Sequence, residues 1–356
     1  MMADPEANED TLSLWRPPMI RTIITPIDGS AHSQMALELS TNLAAKYDAR
    51  VVLLHVVTHD DSVPEDLFEE ALRELVTVGK ETYTGLVDRS KILEQVGNTL
   101  LRNALDLAKR KGVNNVETII DVGEASRRIL HHAENTSADL IIMGSRGFGK
   151  LKGIVLGSVS HNVFHLAPCS CVTVHRPDTK SDYPGIESIL VPTDGSKQAD
   201  KAVELASDIA VKLEAKLSLV YVTSRGPSLE NLRDSIDMKQ LSERSRNEID
   251  PTKHPVAEHV SAAIIPPVVS REALNEIGEQ VLARGQQIAV DKGVRSPNVV
   301  LIDGDPARKI LQVAKREQTD LIAMGSRGLG GAESLLSGSV SYKVNHTASC
   351  NCMIIR

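Results

Sequence analysis

One glycine-rich stretch occurs twice in this chain and constrains its fold more than any other feature. Met143-Gly144-Ser145-Arg146-Gly147 continues to Gly157-Ser158, and Met324-Gly325-Ser326-Arg327-Gly328 continues to Gly338-Ser339. Nine residues separate the second glycine from the third in both copies. Each copy follows a short apolar run, Leu140–Met143 or Leu321–Met324, with an acidic residue, Asp139 or Asp320, directly before it. A short apolar run broken by glycine reads as a buried parallel strand that opens into a loop and then a helix. Such a loop turns backbone N–H groups and a helix N-terminus toward one place, which suits phosphate.

The duplication extends well beyond the glycines. Asp28 and Asp194 are 166 residues apart, as are His55 and Tyr221, whereas Gly112 and Gly293, Gly123 and Gly304, and Gly144 and Gly325 are each 181 apart. The second copy is therefore longer by 15 residues, all between its second strand and the helix that closes at Gly293. A duplicated unit with one variable surface connection accounts for this. Within each copy the order is the same. Ile20–Pro26 or Ile189–Pro192 reads as a first strand, ending in Asp28-Gly29-Ser30 or Asp194-Gly195-Ser196, a turn with a helix cap. A helix (Ala31–Tyr47 or Ala199–Leu213) and a second strand (Arg50–Val57 or Leu217–Thr223) follow. Each copy then has a long insert, from His59 to about Gly97 or from Ser224 to about Arg271. The second insert carries Pro251, Pro255, Pro266 and Pro267 and is expected to be partly irregular. A further helix (Leu100–Lys111 in the first copy), a strand, a helix, the strand before the glycine stretch, another helix and a last strand (Cys169–Val174 or Cys352–Ile355) complete the unit. Nearly continuous apolar strands alternating with helices predict a parallel α/β sheet covered on both faces.

Three features converge on one edge of such a sheet, because ligands of open parallel sheets bind outside the strands' carboxyl ends. The first strand delivers Asp28 or Asp194, the second delivers His55-Val56-Val57 or Tyr221-Val222-Thr223, and the fourth delivers the glycine stretch. An apolar wall, a carboxylate and a phosphate cradle together describe a nucleotide. Backbone groups near Val56 or Val222 would read the adenine edge, and the carboxylate would accept from ribose or adenine. Competing with this are a ligand-free strand-to-helix turn for the glycines, a capping role for the aspartates, and a solvated loop charge for Arg146 and Arg327.

The motif Gly-x2-Gly-x9-Gly-Ser, with Pro-x-Asp-Gly-Ser turns at Pro26 and Pro192, resembles the universal stress protein family, and the chain resembles more closely its tandem, two-domain members. The resemblance covers nearly all of the chain except the tail, the linker and the inserts. It implies two tandem Rossmann-like (HUP-type) α/β domains, each a five-stranded parallel sheet between helices, over residues 19–175 and 187–356, joined by a linker at 176–186 and preceded by a flexible tail at 1–18. It also implies that members carrying the glycine motif bind ATP. The family's adenine and ribose contacts fall on Pro26, Asp28 and Val56, and on Pro192, Asp194 and Val222. Its phosphate contacts fall on Met143, Gly144, Arg146, Gly147, Gly157, Ser158 and Val159, and on Met324, Gly325, Arg327, Gly328, Gly338, Ser339 and Val340. The cofactor expected is ATP, with Mg²⁺ as a companion ion. The expected output is a nucleotide-dependent contact with a protein partner in a stress response, without efficient turnover. The alternatives are a nucleotide-free interaction scaffold and a weak ATPase. The two repeats are expected to form an intramolecular pseudo-dimer, with a homodimer as the alternative.

Other functions fit less well. Gly144 through Lys150 matches the first seven positions of a P-loop, but Leu151 stands where a Mg²⁺-binding hydroxyl is required, and the second copy has no lysine there. The first strand-to-helix turn lacks the three glycines of a dinucleotide-binding fold. No His, Asp and Ser grouping resembles an activated nucleophile with its base. A formal net charge of −7 and only 3% aromatic residues argue against nucleic acid as a partner. No apolar stretch is long enough to span a membrane, so a cytoplasmic location is expected. Four cysteines form no disulfide framework. Cys169-Ser170-Cys171 and Cys350-Asn351-Cys352 open the last strand of each copy. If those strands pair, as the resemblance suggests, four thiols come near one another and a thiolate metal site is conceivable. Buried structural thiols are the favoured reading, and no metal ligands are assigned.

Overall fold

The structure, a computed structural model, describes residues 20–58, 65–77, 89–147, 157–175, 185–224, 236–249, 269–328 and 339–356. The tail, most of the linker, the proline-bearing part of the second insert, and the spacer of each glycine stretch, with Lys150, Leu151 and Gly338, lie outside the described residues.

The first repeat runs β1 (Thr22–Pro26), α1 (Ala31–Tyr47), β2 (Arg50–Val57), α2 (Glu65–Thr77), α3 (Arg89–Arg110), β3 (Val116–Val122), α4 (Ala125–Asn135), β4 (Leu140–Gly144), α5 (Ser158–Leu166) and β5 (Ser170–Val174). The second runs β6 (Ser188–Pro192), α6 (Lys197–Leu213), β7 (Lys216–Thr223), a short 3₁₀ turn at Met238–Gln240, α7 (Glu243–Ile249), α8 (Arg271–Asp291), β8 (Asn298–Asp303), α9 (Pro306–Arg316), β9 (Leu321–Gly325), α10 (Ser339–Thr347) and β10 (Asn351–Ile355). All ten strands form one sheet, in the order β3-β2-β1-β4-β5-β10-β9-β6-β7-β8. Pairing is parallel within each repeat and antiparallel where β5 meets β10, with Cys352 opposite Thr173 and Ile354 opposite Cys171. Each repeat is thus the five-stranded parallel α/β unit expected.

Local chemistry sets these elements. Ser30 and Ser196 cap α1 and α6, each accepting from the backbone N–H three residues on, which satisfies a donor the helix itself leaves unpaired. The acidic residues before β4 and β9 are clamps. Asp139 Oδ2 accepts from the N–H groups of Arg21 and Thr22, both at 2.9 Å. Asp320 Oδ2 does the same for Glu187 and Ser188. Each thereby fixes the start of one strand against the neighbour it pairs with.

The apolar strands divide their side chains between two faces, as a period of two requires. On one face, Ile23, Val51, Leu140 and Val172 pack with α1 and α3, and Ile189, Leu219, Leu321 and Met353 pack with α6 and α8. These residues form one core that runs through both repeats. On the other face there are two cores. One holds Ile24, Ile141, Phe164 and Cys171, and the other Leu190, Ile310, Ile322 and Cys352.

Two expectations are corrected. The helix expected from Leu100 begins at Arg89, and Gly97, read as the end of the insert, lies inside it. A Cβ at Gly97 would come within 2.6 Å of the His55 ring, and one at Gly278 in α8 within 2.7 Å of Tyr221. Glycine is used there for close packing, which outweighs its cost of about 1 kcal/mol in a helix. The four thiols, moreover, do not gather. Antiparallel pairing places Cys169 and Cys350 at opposite ends of the seam, while Cys171 and Cys352 belong to separate cores. Burial pushes the thiols of Cys169 and Cys350 up to about 12 and also raises those of Cys171 and Cys352. They are neutral packing groups and poor metal ligands.

Candidate functional site

The order β3-β2-β1-β4 makes β1 the point where the chain reverses its direction of travel across the sheet, with β6 in the same position in the second repeat. Helix α1 leaves β1 on one face and α5 leaves β4 on the other. A crevice at the carboxyl edge between β1 and β4 follows from this topology.

In the first repeat that crevice is closely built. Asp28 is exposed at the end of β1, and its Oδ1 accepts from Ser30 N–H at 2.8 Å. It holds the turn, but the helix cap is Ser30. Ser30 also donates its hydroxyl to the Arg146 carbonyl at 3.3 Å, tying the β1 turn to the glycine stretch. Gly147 faces Asp28 so closely that a Cβ would stand 2.6 Å from Oδ2. Gly144 lies against the first turn of α1, where a Cβ would be 2.9 Å from the backbone of His32 and Ser33. These two glycines are needed for close approach between elements, a structural requirement that coexists with ligand binding.

The Ser145 carbonyl closes the stretch by accepting from Gly157 N–H at 2.8 Å and from the Ser160 hydroxyl at 2.7 Å. The Gly157 amide is therefore engaged within the protein and is not a free anion donor. Gly157 occupies the N-cap of α5 and has no side chain with which to cap it. Among the described residues no side chain caps the first-turn amides, from Ser158 and Val159, which the helix itself leaves open. Arg146 and Ser158 are exposed beside that terminus. Val56 and Val159 are half-buried on one apolar cluster, which also contains the buried Met143, and Pro26 is half-buried at the end of β1.

The second repeat reproduces the arrangement. Asp194 Oδ1 accepts from Ser196 N–H at 3.0 Å, Gly328 faces the Asp194 carboxylate, and Gly325 lies against Gln198 of α6. Val222 and Val340 pack beside the buried Met324, Pro192 is half-buried at the end of β6, and Arg327 and Ser339 are exposed. Both repeats thus bring together every expected contact residue that lies within the described part.

The sequence reading placed His55 and Tyr221 at the strand edge but not their packing partners. His55 and Tyr221, at equivalent positions on β2 and β7, each pack on a helix glycine behind the crevice. The His55 Nδ1 pairs with the Ile27 carbonyl at 2.7 Å. Burial lowers the pKa of His55, opposed by that carbonyl and by Asp28, and burial, aided by Asp194, raises that of Tyr221 to about 12. The signal was available in the sequence, because Gly97 and Gly278 share the offset of 181 found for the other downstream glycines.

Fold and site together define a class: a duplicated α/β protein with a glycine-and-aspartate crevice at the carboxyl edge of each half. The model of the universal stress protein family matches residues 19–175 and again 185–356, and the chain belongs to that family. It is 35% identical over 166 residues to the universal stress protein YxiE of Bacillus subtilis, covering 44% of this chain and 99% of that one. It is 25% identical to a universal stress protein of Mycolicibacterium smegmatis, over 94% of this chain and 96% of the relative. Among solved structures, a universal stress protein from Archaeoglobus fulgidus shares the fold, with a TM-score of 0.58 at 20% identity, over 94% of this chain and 98% of that one. Among the described residues, no helix is long and apolar enough to cross a membrane.

Proposed function

We propose that the chain binds ATP in the β1–β4 crevice of the first repeat and in the β6–β9 crevice of the second, and that binding regulates a contact with a protein partner. The reading rests on one observation: each repeat sets an aspartate carboxylate, two exposed glycine-stretch residues and an apolar valine around one strand edge. In the first repeat that edge also carries a helix terminus without a side-chain cap. Asp28 and Asp194 accept from ribose or adenine, Val56 and Val222 flank the base, and the helix termini at Ser158 and Ser339 take phosphate with Arg146 and Arg327. Mg²⁺ would be held mainly by the phosphates, as this ion prefers. On this reading the two nucleotide-binding domains span 19–175 and 187–356, and the protein acts by binding, without efficient hydrolysis.

Equilibrium dialysis with ATP tests this. Two equivalents are expected per chain. Asp28→Ala and Asp194→Ala should each remove one, weakening the affected site by at least about tenfold, in keeping with a lost charge-assisted contact. These substitutions are cleaner than replacing Gly147, where a side chain would strike Asp28. Absence of binding at millimolar ATP overturns the reading in favour of a nucleotide-free scaffold.

A further inference from the structure

The two faces of the seam differ in chemistry. On the α1/α6 face a single apolar core passes from one repeat to the other. On the opposite face there are two cores, the first reaching across the seam through Ile354 of β10, and four aromatic side chains from the two repeats pack against one another there. His161 and His165 come from α5, and Tyr342 and His346 from α10. They are related by the duplication, since His161 corresponds to Tyr342 and His165 to His346 at the offset of 181.

The central contact joins the repeats directly. His161 Nδ1 lies 3.1 Å from His346 Nε2. Imidazole nitrogens bind zinc at about 2.0–2.1 Å, so two of them on one ion stand about 3.0–3.4 Å apart. The pair therefore already has the spacing of two ligands to one metal, and an ion can replace the proton they share. The His165 ring centre is 4.7 Å from that of His161, one turn along the same helix, which brings a third imidazole within reach of the same ion by rotation about its side-chain bonds. All three histidines are partly open to solvent, so an ion can enter. Arg356, a cation beside the group, donates to the Phe164 and His165 carbonyls at 2.9 and 2.7 Å. Among the described residues no three His, Cys, Asp or Glu side chains already surround one point, so the pair is the pre-set part and the third ligand must turn in.

We propose that the seam carries a site for a divalent transition metal of the imidazole-preferring class, zinc foremost, with His161 and His346 as its pre-set ligands, one from each repeat, and His165 as the third. A metal held there adds a fastening between the repeats on the face where Ile354 links the first repeat's core to β10. The site sits on α5 and α10, whose first residues Ser158 and Ser339 line the proposed nucleotide crevices, but it uses none of the crevice residues.

Calorimetric titration of the full-length chain with zinc chloride at neutral pH is expected to show one equivalent bound. His161→Gln and His346→Gln should each weaken it by more than about tenfold, and His165→Gln should weaken it less. His131→Gln, on α4 away from the seam, should leave it unchanged. The cobalt-loaded chain should show no thiolate-to-metal charge-transfer absorption, which separates this site from the cysteines. Should a seam variant fail to fold, imidazole ¹⁵N resonances of the unaltered chain report the same ligation on adding zinc. No stoichiometric binding, an affinity in His161→Gln and His346→Gln unchanged from that of the unaltered chain, or a thiolate spectrum overturns the proposal.

Discussion

At the scale of single residues, the buried polar groups carry most of the information. His175 directly follows β5 and is almost fully enclosed. Its pKa is pushed down to about 4, first by burial and then by the nearby charges of His32 and Arg146, against a hydrogen bond to Asn345 that raises it. In the unfolded chain the same group titrates near pH 6.5. The unfolded state therefore binds the proton first as the solution is acidified. The associated stability is complete above pH 6.5 and is lost as pH falls toward 4, by roughly 3 kcal/mol in all. Urea unfolding at pH 7 and at pH 4.5 should show this loss, and His175→Gln should flatten that part of the profile. An unchanged profile in the variant would show that His175 is not its source. For Asp28 the competing reading, a helix cap, falls to Ser30, which caps α1, while Asp28 braces the turn and faces Gly147.

At the scale of elements, the most telling device is the clamp that Asp139 and Asp320 each place on a neighbouring strand. One carboxylate oxygen takes two backbone N–H groups at the entry of β1 or β6. Arg21 and Glu187 stand just before the strands, and Thr22 and Ser188 are their first residues, registered opposite Arg50 and Lys216. Asp139→Ala and Asp320→Ala are expected to lower stability by about 1–2 kcal/mol each, at the modest end for charge-assisted bonds because the pairs are near the surface. Denaturant midpoints measure this, and a loss below a few tenths would show that water replaces the carboxylate without penalty. The helices were legible from periodicity, but the start of α3 was not. Gly97 looked like an end because glycine usually interrupts a helix, and only the His55 ring lying against it explains its place.

At the scale of the whole molecule, the β5–β10 pairing decides how the repeats behave. It makes one ten-stranded sheet, and the core shared by α1, α3, α6 and α8 crosses the seam without a break. The Tyr47 hydroxyl adds a bond to Asp208 across that face at 2.6 Å, and Arg356 adds its bonds to the end of α5 on the other. Separate domains usually unfold separately, but here neither repeat can unfold without exposing the other's core and the all-buried β5 or β10. Calorimetry of the full chain should give a single cooperative transition. Met353→Ala, at the middle of the seam, should lower it as a whole by about 2–5 kcal/mol of stability. Two resolved transitions would show that the repeats are energetically independent.

The sequence by itself determined the duplication, the α/β class, the order of elements and the residues at each strand edge. These depend on local chemistry that repeats at a fixed offset: apolar runs, capping serines, glycine stretches and the aspartates before them. Only the tertiary structure decided what lies across space. It showed that Gly157 spends its amide on Ser145, that the antiparallel seam sends the paired cysteines apart, and that His161 meets His346 185 residues away. The reason is physical. Register and antiparallel direction between two distant strands come from the packing of whole faces, which no single stretch of sequence encodes.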